Sequence, residues 1–395
     1  MDDPFGSGGG GTGGGGAGRG RGGGWRWASR QEGASNLWGV PTSTNEVAEI
    51  RKIKRNVRQY FDKDPRFVFE SVLPGAHHGL AFIVREKTVD ANGKKIERKF
   101  VVKVATPGNT ASIIQERQFL DRFKWALHIV NPYLISDNPL APLNTPFLVM
   151  EFLNHGTLRQ FQERTTRANV ILPNRILWAI FLCLIRACIG MAYPPKGPAV
   201  QLEETRDEEP TTVSHRDMHG GNFVFGMTER THFVSHNGVV FYEHENVPIL
   251  KLIDFGESRE MPKGEIPVDT LSANSFDKEL NLEAHRHRSG RRNQGVDANL
   301  LGIGTFGFAS NARTLMRSPT DHPSLDRDLQ LLVQRCLAAD PLNRPRLEEF
   351  MTLINNNTFN KTAANYGNAG KAGGLESDET LKNIVSTYIL NADTG

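Results

Sequence analysis

The stretch Ser214-His215-Arg216-Asp217-Met218-His219-Gly220-Gly221-Asn222 carries the most specific chemical pattern in this chain of 395 residues. It has the form H-R-D, four residues, then Asn. A second short stretch, Leu252-Ile253-Asp254-Phe255-Gly256, places Asp254 after an apolar run, 32 residues beyond Asn222. Either tripeptide alone recurs by chance. The two in this order, each beside a predicted short strand, form a specific signal.

This pair of stretches resembles the catalytic loop and the metal-binding loop of the protein-kinase superfamily. The form H-R-D-M-H-G-G-N is similar to that of divergent kinase-like proteins of filamentous fungi. The resemblance implies an α+β, bilobal fold with a small β-rich amino-terminal lobe and a larger helical carboxyl-terminal lobe. It covers about residues 66–355.

The resemblance also assigns roles to individual residues. Asp217 would lie beside the acceptor hydroxyl, and Asn222 and Asp254 would bind Mg²⁺, which prefers oxygen ligands. Arg216 would pair with a phosphate in the activation segment. The alternative is a purely structural role, in which Asp217 and Asp254 cap loops. The expected catalytic-loop residues are His215, Arg216, Asp217 and His219.

Upstream of these stretches, the sequence has residues that match the positions with which the family binds ATP. Lys103, in a strand of valines, would bind the α and β phosphates, and Glu116, on the following helix, would hold Lys103. Residues 147–153 match the hinge, although without the family they read as a buried strand, just as Lys103 could be a solubilising edge lysine. The expected nucleotide contacts are Gly75, Gly79, Lys103, Glu116, Met150, Glu151, Leu153 and Val224.

The rest of the chain divides by composition into five parts. Fourteen of the 39 glycines fall in the first 24 residues, which predicts a disordered leader over 1–44. A basic amphipathic helix is expected over 45–62, and we expect it to pack on the domain rather than to bind a membrane surface or a partner groove. The two lobes are expected over 63–153 and 154–358. A polar tail over 359–395 carries one helix signal, from Asp378 to Leu390.

Local patterns predict individual elements. Strands are expected at 67–72, 80–84, 98–104 and 146–152, with an Asn92-Gly93 turn in the second hairpin, and a helix over 110–127. Two insertions are expected: an acidic one over 196–212, and a hairpin over 226–248 that turns at 236–238. The ten-residue apolar run 176–185 predicts a buried helix, since it is half the length of a membrane span. The three cysteines are expected to be reduced core residues.

The sequence departs from the family in four ways. Gly75-Ala76-His77-His78-Gly79 lacks the central glycine that lets backbone approach phosphate. His219 stands where serine/threonine kinases have lysine, and Gly221 where tyrosine kinases have arginine, so these positions leave the acceptor class open. Residues 257–296 contain no A-P-E, so Arg344 needs another partner or stays exposed. The same residues hold a basic stretch and the possible phosphosites Thr270, Ser272, Ser275 and Ser289. Finally, the 226–248 insertion lengthens the path between the two loops.

These observations predict an ATP- and Mg²⁺-dependent protein kinase that phosphorylates serine or threonine. The alternatives are a non-catalytic kinase-fold scaffold and a small-molecule kinase. A protein substrate is the expected partner. With 47 basic and 44 acidic residues, the net charge of +3 predicts no nucleic-acid binding. We also expect no membrane span and a cytoplasmic or nuclear location, whereas the oligomeric state cannot be predicted.

Overall fold

The computed structural model describes residues 44–73, 79–89, 92–236, 238–261, 302–303, 309–310, 312, 322–338 and 343–392. Over these residues the protein is a mixed α+β structure, as the sequence predicts. The leader, Gly75, the possible phosphosites and the basic stretch of 285–292 lie outside the described residues.

A four-stranded antiparallel sheet in the order β1-β2-β3-β4 forms the first part of the fold. Alternating apolar residues place Phe82, Phe100 and Val102 on its buried face. The hairpin between the second and third strands turns at Gly93, whose φ of 76° is readily adopted only by glycine. The strands are β1 (Phe67–Leu73), β2 (Gly79–Val89), β3 (Lys95–Ala105) and β4 (Phe147–Glu151).

Helix α1 (Thr44–Asp62) packs on this sheet. Val57 and Phe61 are fully buried, and the Phe61 ring lies 5.3 Å from that of Phe67 and 6.0 Å from that of Phe100. Its arginines at 51, 55 and 58 are exposed. The prediction that this helix packs on the domain is therefore confirmed.

Helices dominate the chain beyond the sheet. The predicted helix over 110–127 ends early, at Arg122, because Trp125 adopts a left-handed φ of 79° and donates its N–H to Asn131 Oδ1 instead of to a helical carbonyl. The helices are α2 (Thr110–Arg122), α3 (Leu158–Arg167), α4 (Asn174–Ala192), α5 (Arg327–Cys336), α6 (Leu347–Asn360) and α7 (Asp378–Val385).

Short two-stranded pairs connect the helices. The predicted insertion hairpin is present, and Gly238 in its turn has a φ of 76°. The strands are β5 (Val213–Ser214), β6 (Phe223–Phe225), β7 (Phe233–His236), β8 (Val239–Tyr242), β9 (Leu250–Leu252), β10 (Arg259–Glu260), β11 (Gly302–Ile303) and β12 (Ala309–Ser310). They pair as β5 with β10, β6 with β9, β7 with β8 and β11 with β12.

Helix α4 is the core of the helical part. By length and a mean hydropathy of 1.9 it could span a membrane, but 83% of that window is buried within the protein, as in the core helix of a globular domain. Cys183 and Cys188 on α4, and Cys336 on α5, are buried and form no disulfide, as predicted.

The polar composition after residue 359 conceals a folded segment. Helix α7 begins where the sequence signal begins, and a π-helical turn continues it over Ser386–Leu390. Leu381, Ile384 and Val385 are buried in the main core. Glu376, itself buried, accepts hydrogen bonds from the backbone and side chain of Asn174 at the start of α4. This segment is therefore part of the packed domain.

Candidate functional site

The pairing of β6 with β9 brings the two motif stretches together. Phe223 lies opposite Leu252 in this antiparallel pair, so the residues just outside it, Asn222 and Ile253, also meet. The Ile253 N–H donates to the Asn222 carbonyl at 2.9 Å. Asp254 follows directly. The hairpin insertion between the strands therefore does not prevent the contact that the resemblance requires.

Asn222 holds Asp217 in place. Its side-chain Nδ2 donates to the Asp217 carbonyl at 2.7 Å and to Asp217 Oδ2 at 2.9 Å. Both bonds use the amide nitrogen, which leaves Asn222 Oδ1 without a hydrogen bond from the described residues. An oxygen in this position is suited to a hard cation.

His219 faces the same carboxylate. The Gly221 N–H donates to His219 Nδ1 at 2.9 Å, so the ring proton belongs on Nε2. Nε2 lies 3.5 Å from Asp217 Oδ2. Burial alone would raise the pKa of the Asp217 carboxyl, but hydrogen bonds from His219 and Asn222 outweigh it and hold the pKa below its usual value. Asp217 is therefore ionised at neutral pH.

Lys103 lies between two carboxylates. Its Nζ is 2.8 Å from Glu116 Oε2 and 2.8 Å from Asp254 Oδ1, and its side chain is only 6% exposed. Burial lowers the pKa of the ammonium, but the charges of Glu116 and Asp254 outweigh this and raise it. Lys103 is thus a buried ion-paired lysine, and the alternative of an edge solubilising lysine is wrong.

Glu116 is the least satisfied member of this group. Burial raises the pKa of its carboxyl to about 7, partly offset by the charge of Lys103. Its Oε1 is buried and accepts no hydrogen bond from the described residues. Two carboxylates therefore share one ammonium. The charge of Lys103 therefore does not bring the pKa of the Glu116 carboxyl back to its usual value.

Aromatic packing fixes the position of Asp254. The next residue, Phe255, is fully buried, with its ring 5.2 Å from that of Phe123 on α2 and 4.8 Å from that of His215. His215 Nε2 also hydrogen-bonds the Ile253 carbonyl at 3.0 Å. Asp254 itself takes a left-handed φ of 65°, which aspartate tolerates better than most residues. His215 therefore holds the two stretches together through these contacts, which is a structural role rather than a part in a reaction.

Helix α2 contacts the segment after Asp254 through residues that the sequence reasoning missed. Gln115 Nε2 donates to the carbonyls of Gly256 at 3.2 Å and Ser258 at 2.6 Å. Ser112 Oγ donates to the Gly256 carbonyl at 3.2 Å. Neither residue belongs to a motif. Their position one turn from Glu116 on the helix is the only signal that could have found them.

Four of the other expected nucleotide contacts among the described residues are Gly79, Met150, Leu153 and Val224. Gly79 is required sterically, because a Cβ there would lie 2.5 Å from the Val104 carbonyl oxygen. Met150 is buried and pairs with Val101 in the sheet, and Val224 pairs with Lys251. Leu153 is half-buried and lies close to the backbone at Gly226. None of these four residues takes part in the side-chain hydrogen bonds described above for Lys103, Glu116, Asp217 and Asp254.

The Glu151 side chain is used by the fold. Its Oε1 accepts from Lys251 Nζ at 2.7 Å and from the Asn131 N–H at 2.8 Å. One carboxylate oxygen of Glu151 is therefore committed to holding Lys251 and the Asn131 backbone.

Two predicted arginines also have defined surroundings. Arg344 donates through Nε to the Ala338 carbonyl at 3.0 Å, which provides the substitute partner that the missing motif demands. Arg216 is exposed, with a left-handed φ of 71°. No side chain among the described residues pairs with it.

Comparisons with known proteins add no relative. No protein-family model matches the chain, and the search of curated proteins gives no match.

Proposed function

We propose that the protein is an ATP- and Mg²⁺-dependent kinase that transfers the γ-phosphate of ATP to a protein hydroxyl. The observation that supports this most is the meeting of Lys103, Glu116 and Asp254 at 2.8 Å, next to the Asp217–Asn222 pair. These residues are spread over some 150 positions of sequence, between 103 and 254. Chance rarely assembles all the family's charged residues in the family's own pairing.

The local charge fits a bound metal ion and a polyphosphate. The pKa of Asp217 is lowered, that of Lys103 is raised, and burial raises the pKa of the Glu116 carboxyl to about 7. Three carboxyl groups (Glu116, Asp217 and Asp254) thus accompany one ammonium, and such a set favours a divalent cation. Asn222 and Asp254 would hold Mg²⁺, which neutralises charge on the transferring phosphate.

The protein's own residues would position the reactants. Asp217 orients the acceptor hydroxyl and accepts its proton, a role for which its ionised state is required. Asn222 and His219 fix this carboxylate. Lys103, held by Glu116, contacts the non-transferred phosphates. Most of the catalysis would therefore come from positioning and electrostatic stabilisation.

The fold would be bilobal in this proposal. The antiparallel sheet with α1 and α2 would form the small lobe, and the helical part around α4 the large lobe. Gly79 would follow the loop that covers the phosphates, and the backbone of Glu151 and Leu153 would contact adenine between Met150 and Val224.

The acceptor class follows from His219. In the family a lysine at this position accompanies serine or threonine as acceptor, and here His219 Nε2 lies 3.5 Å from Asp217 Oδ2. We propose serine or threonine on a protein as the acceptor, and a cytoplasmic or nuclear location for the enzyme.

The test is transfer of labelled phosphate from ATP by the purified full-length chain, to itself or to a mixed-protein acceptor, with and without Mg²⁺. We expect labelled phosphoserine or phosphothreonine only with Mg²⁺. A thermal-shift series with ATP and Mg²⁺ separates the alternatives, because saturating ligand at 100 times Kd adds about 2.7 kcal/mol of stability. Binding without transfer would favour a scaffold, and no binding would contradict the proposal.

A further inference from the structure

A second polar cluster lies in the core, behind β9. The ligand atoms of His128, Cys183 and His244 all lie within 4.8 Å of one another, and the three residues are completely or almost completely inaccessible to solvent. They come from three distant segments: the connection between α2 and β4, the middle of α4, and the end of the hairpin insertion. We call them the His–Cys–His cluster.

Both insertions contribute to this cluster. His244 belongs to the hairpin insertion, and Glu203 of the acidic insertion is buried, whereas its neighbour Glu204 is exposed. Glu203 Oε2 lies 2.7 Å from His128 Nδ1, and its Oε1 accepts from the His128 N–H at 2.6 Å. The two segments that lengthen the chain beyond the family pattern therefore meet at one buried point.

The contact with Glu203 determines where the lone pair of His128 lies. A carboxylate is an acceptor, so Nδ1 carries the proton and Nε2 presents its lone pair. This lone pair points at His244 Nε2, which is 2.9 Å away. A histidine that donates one ring N–H to a carboxylate and offers the other nitrogen is the usual arrangement of a metal-ligating histidine.

Hydrogen bonds alone leave this network incomplete. If His244 donates through Nε2 to His128, its Nδ1 becomes an acceptor, and this atom is buried without a hydrogen-bond partner among the described residues.

A buried guanidinium holds the carboxylates beside the cluster. Arg186 is buried against Glu243, pairing through Nη2 and, at 3.3 Å, through Nε, and it donates to the Glu203 carbonyl. The surroundings of the three ligand side chains are therefore fixed by the fold.

The donor set and its dimensions fit zinc. Two imidazole nitrogens and one sulfur are ligands of tetrahedral zinc sites, at about 2.0–2.1 Å for nitrogen and 2.3 Å for sulfur. Nitrogens at that distance from one ion lie about 3.3 Å apart, so the present 2.9 Å separation of the rings needs only a small opening. Glu243 Oε2, which is 4.0 Å from His244 Nε2, offers a further oxygen beside the rings.

We propose that His128, Cys183 and His244 bind Zn²⁺, with Glu203 orienting His128 and Glu243 completing the coordination. The ion would connect α4 to both insertions and to the back of β9. Its role is structural, since the site is closed to solvent. This inference is independent of the proposed kinase activity.

The test uses the full-length protein, expressed with zinc in the medium and dialysed, with metal content measured by mass spectrometry. We expect about one zinc per chain. Exchange for Co²⁺ should give the visible bands of a tetrahedral site and a near-ultraviolet thiolate-to-cobalt band. Cys183→Ser should lose that near-ultraviolet band and at least 90% of the metal, a tenfold loss.

Cys188→Ser is the matched control, because Cys188 is buried on the same helix outside the cluster. It should retain both metal and spectrum. Wild-type protein with less than about a tenth of an equivalent of zinc and no tetrahedral Co²⁺ spectrum would overturn the proposal, and so would a thiolate band that survives Cys183→Ser. The wild-type spectra decide the question if the variant does not fold.

Discussion

The group of Lys103, Glu116, Asp217, Asn222 and Asp254 and the His–Cys–His cluster differ in their exposure to solvent. In the first group, Asp217 retains 29% of its side-chain exposure and Asn222 Oδ1 has no partner among the described residues. Around the His–Cys–His cluster, Arg186 and Glu243 are sealed, with 4% and 0% exposure. The partly exposed Asp217 is suited to meeting an exchanging ligand, and the sealed cluster to holding the fold together.

The largest expected effect is a loss of stability on breaking the buried Arg186–Glu243 ion pair. In metal-free protein, Arg186→Met removes the ion-pair partner of the buried Glu243 carboxylate, which costs about 3–5 kcal/mol of unfolding free energy. The matched control is Arg335→Met, since Arg335 pairs with a partly exposed Glu349 and its loss costs less than about 1 kcal/mol. Denaturant unfolding measures both. Equal losses would mean that the buried pair contributes no more than a surface pair.

A change in the group around Lys103 should lower phosphate transfer strongly and stability only slightly. Glu116→Gln removes the charge that holds Lys103, and a charge-assisted hydrogen bond of about 1.5–3 kcal/mol corresponds to a 10- to 100-fold fall in phosphate transfer. Stability should change by less than about 1 kcal/mol, because burial already brings the pKa of Glu116 to about 7. Glu97→Gln, at an exposed pair with Arg85, is the control and should leave transfer unchanged.

His219 should show a smaller effect with a pH signature. His219→Ala removes a hydrogen bond to the Asp217 carboxylate and should lower kcat about tenfold. Because His219 helps to depress the pKa of Asp217, the acid limb of the rate profile should shift to higher pH in the variant. His219→Lys should restore much of the rate. An unchanged acid limb in His219→Ala would rule out the contact with Asp217.

The smallest effect on stability and on ATP affinity is expected for the Lys251–Glu151 ion pair. Lys251 Nζ contacts Glu151 Oε1 at 2.7 Å, and Glu151 is 30% exposed. Glu151→Gln should cost about 0.5–1 kcal/mol in stability. ATP affinity should change less than about threefold if only the backbone of Glu151 contacts the base, which corresponds to under 1 kcal/mol. A larger loss of affinity, measured by calorimetry, would assign the side chain itself to the ligand.

The contrast also explains what the sequence could reveal. The strands at 67–72, 80–84 and 98–104, the turns at Gly93 and Gly238, and the helix beginning at Asp378 follow from local periodicity and turn chemistry. In these cases the information lies within a few residues. The contact of Ile253 with Asn222 follows from the pairing of two short apolar runs, each of which is recognisable locally.

The rest depends on long-range packing. The early end of α2 is set by Asn131, which captures the Trp125 N–H. The His–Cys–His cluster joins residues 128, 183 and 244, whose spacing matches no metal motif. Glu203 resembles its exposed acidic neighbours in sequence, yet it alone among them is buried. No local pattern distinguishes such residues, because their environment is created by segments far away in the chain.

The most direct test of the central claim is phosphate transfer by Asp217→Asn, compared with wild type and with Asp121→Asn, which neutralises an exposed aspartate on α2. The account predicts Mg²⁺-dependent transfer by the wild type and by Asp121→Asn, with a fall of about 10²–10⁴-fold in Asp217→Asn. ATP-induced thermal stabilisation should persist in all three proteins. Transfer by Asp217→Asn at the wild-type rate would contradict the assignment of Asp217 and with it the proposed catalytic site.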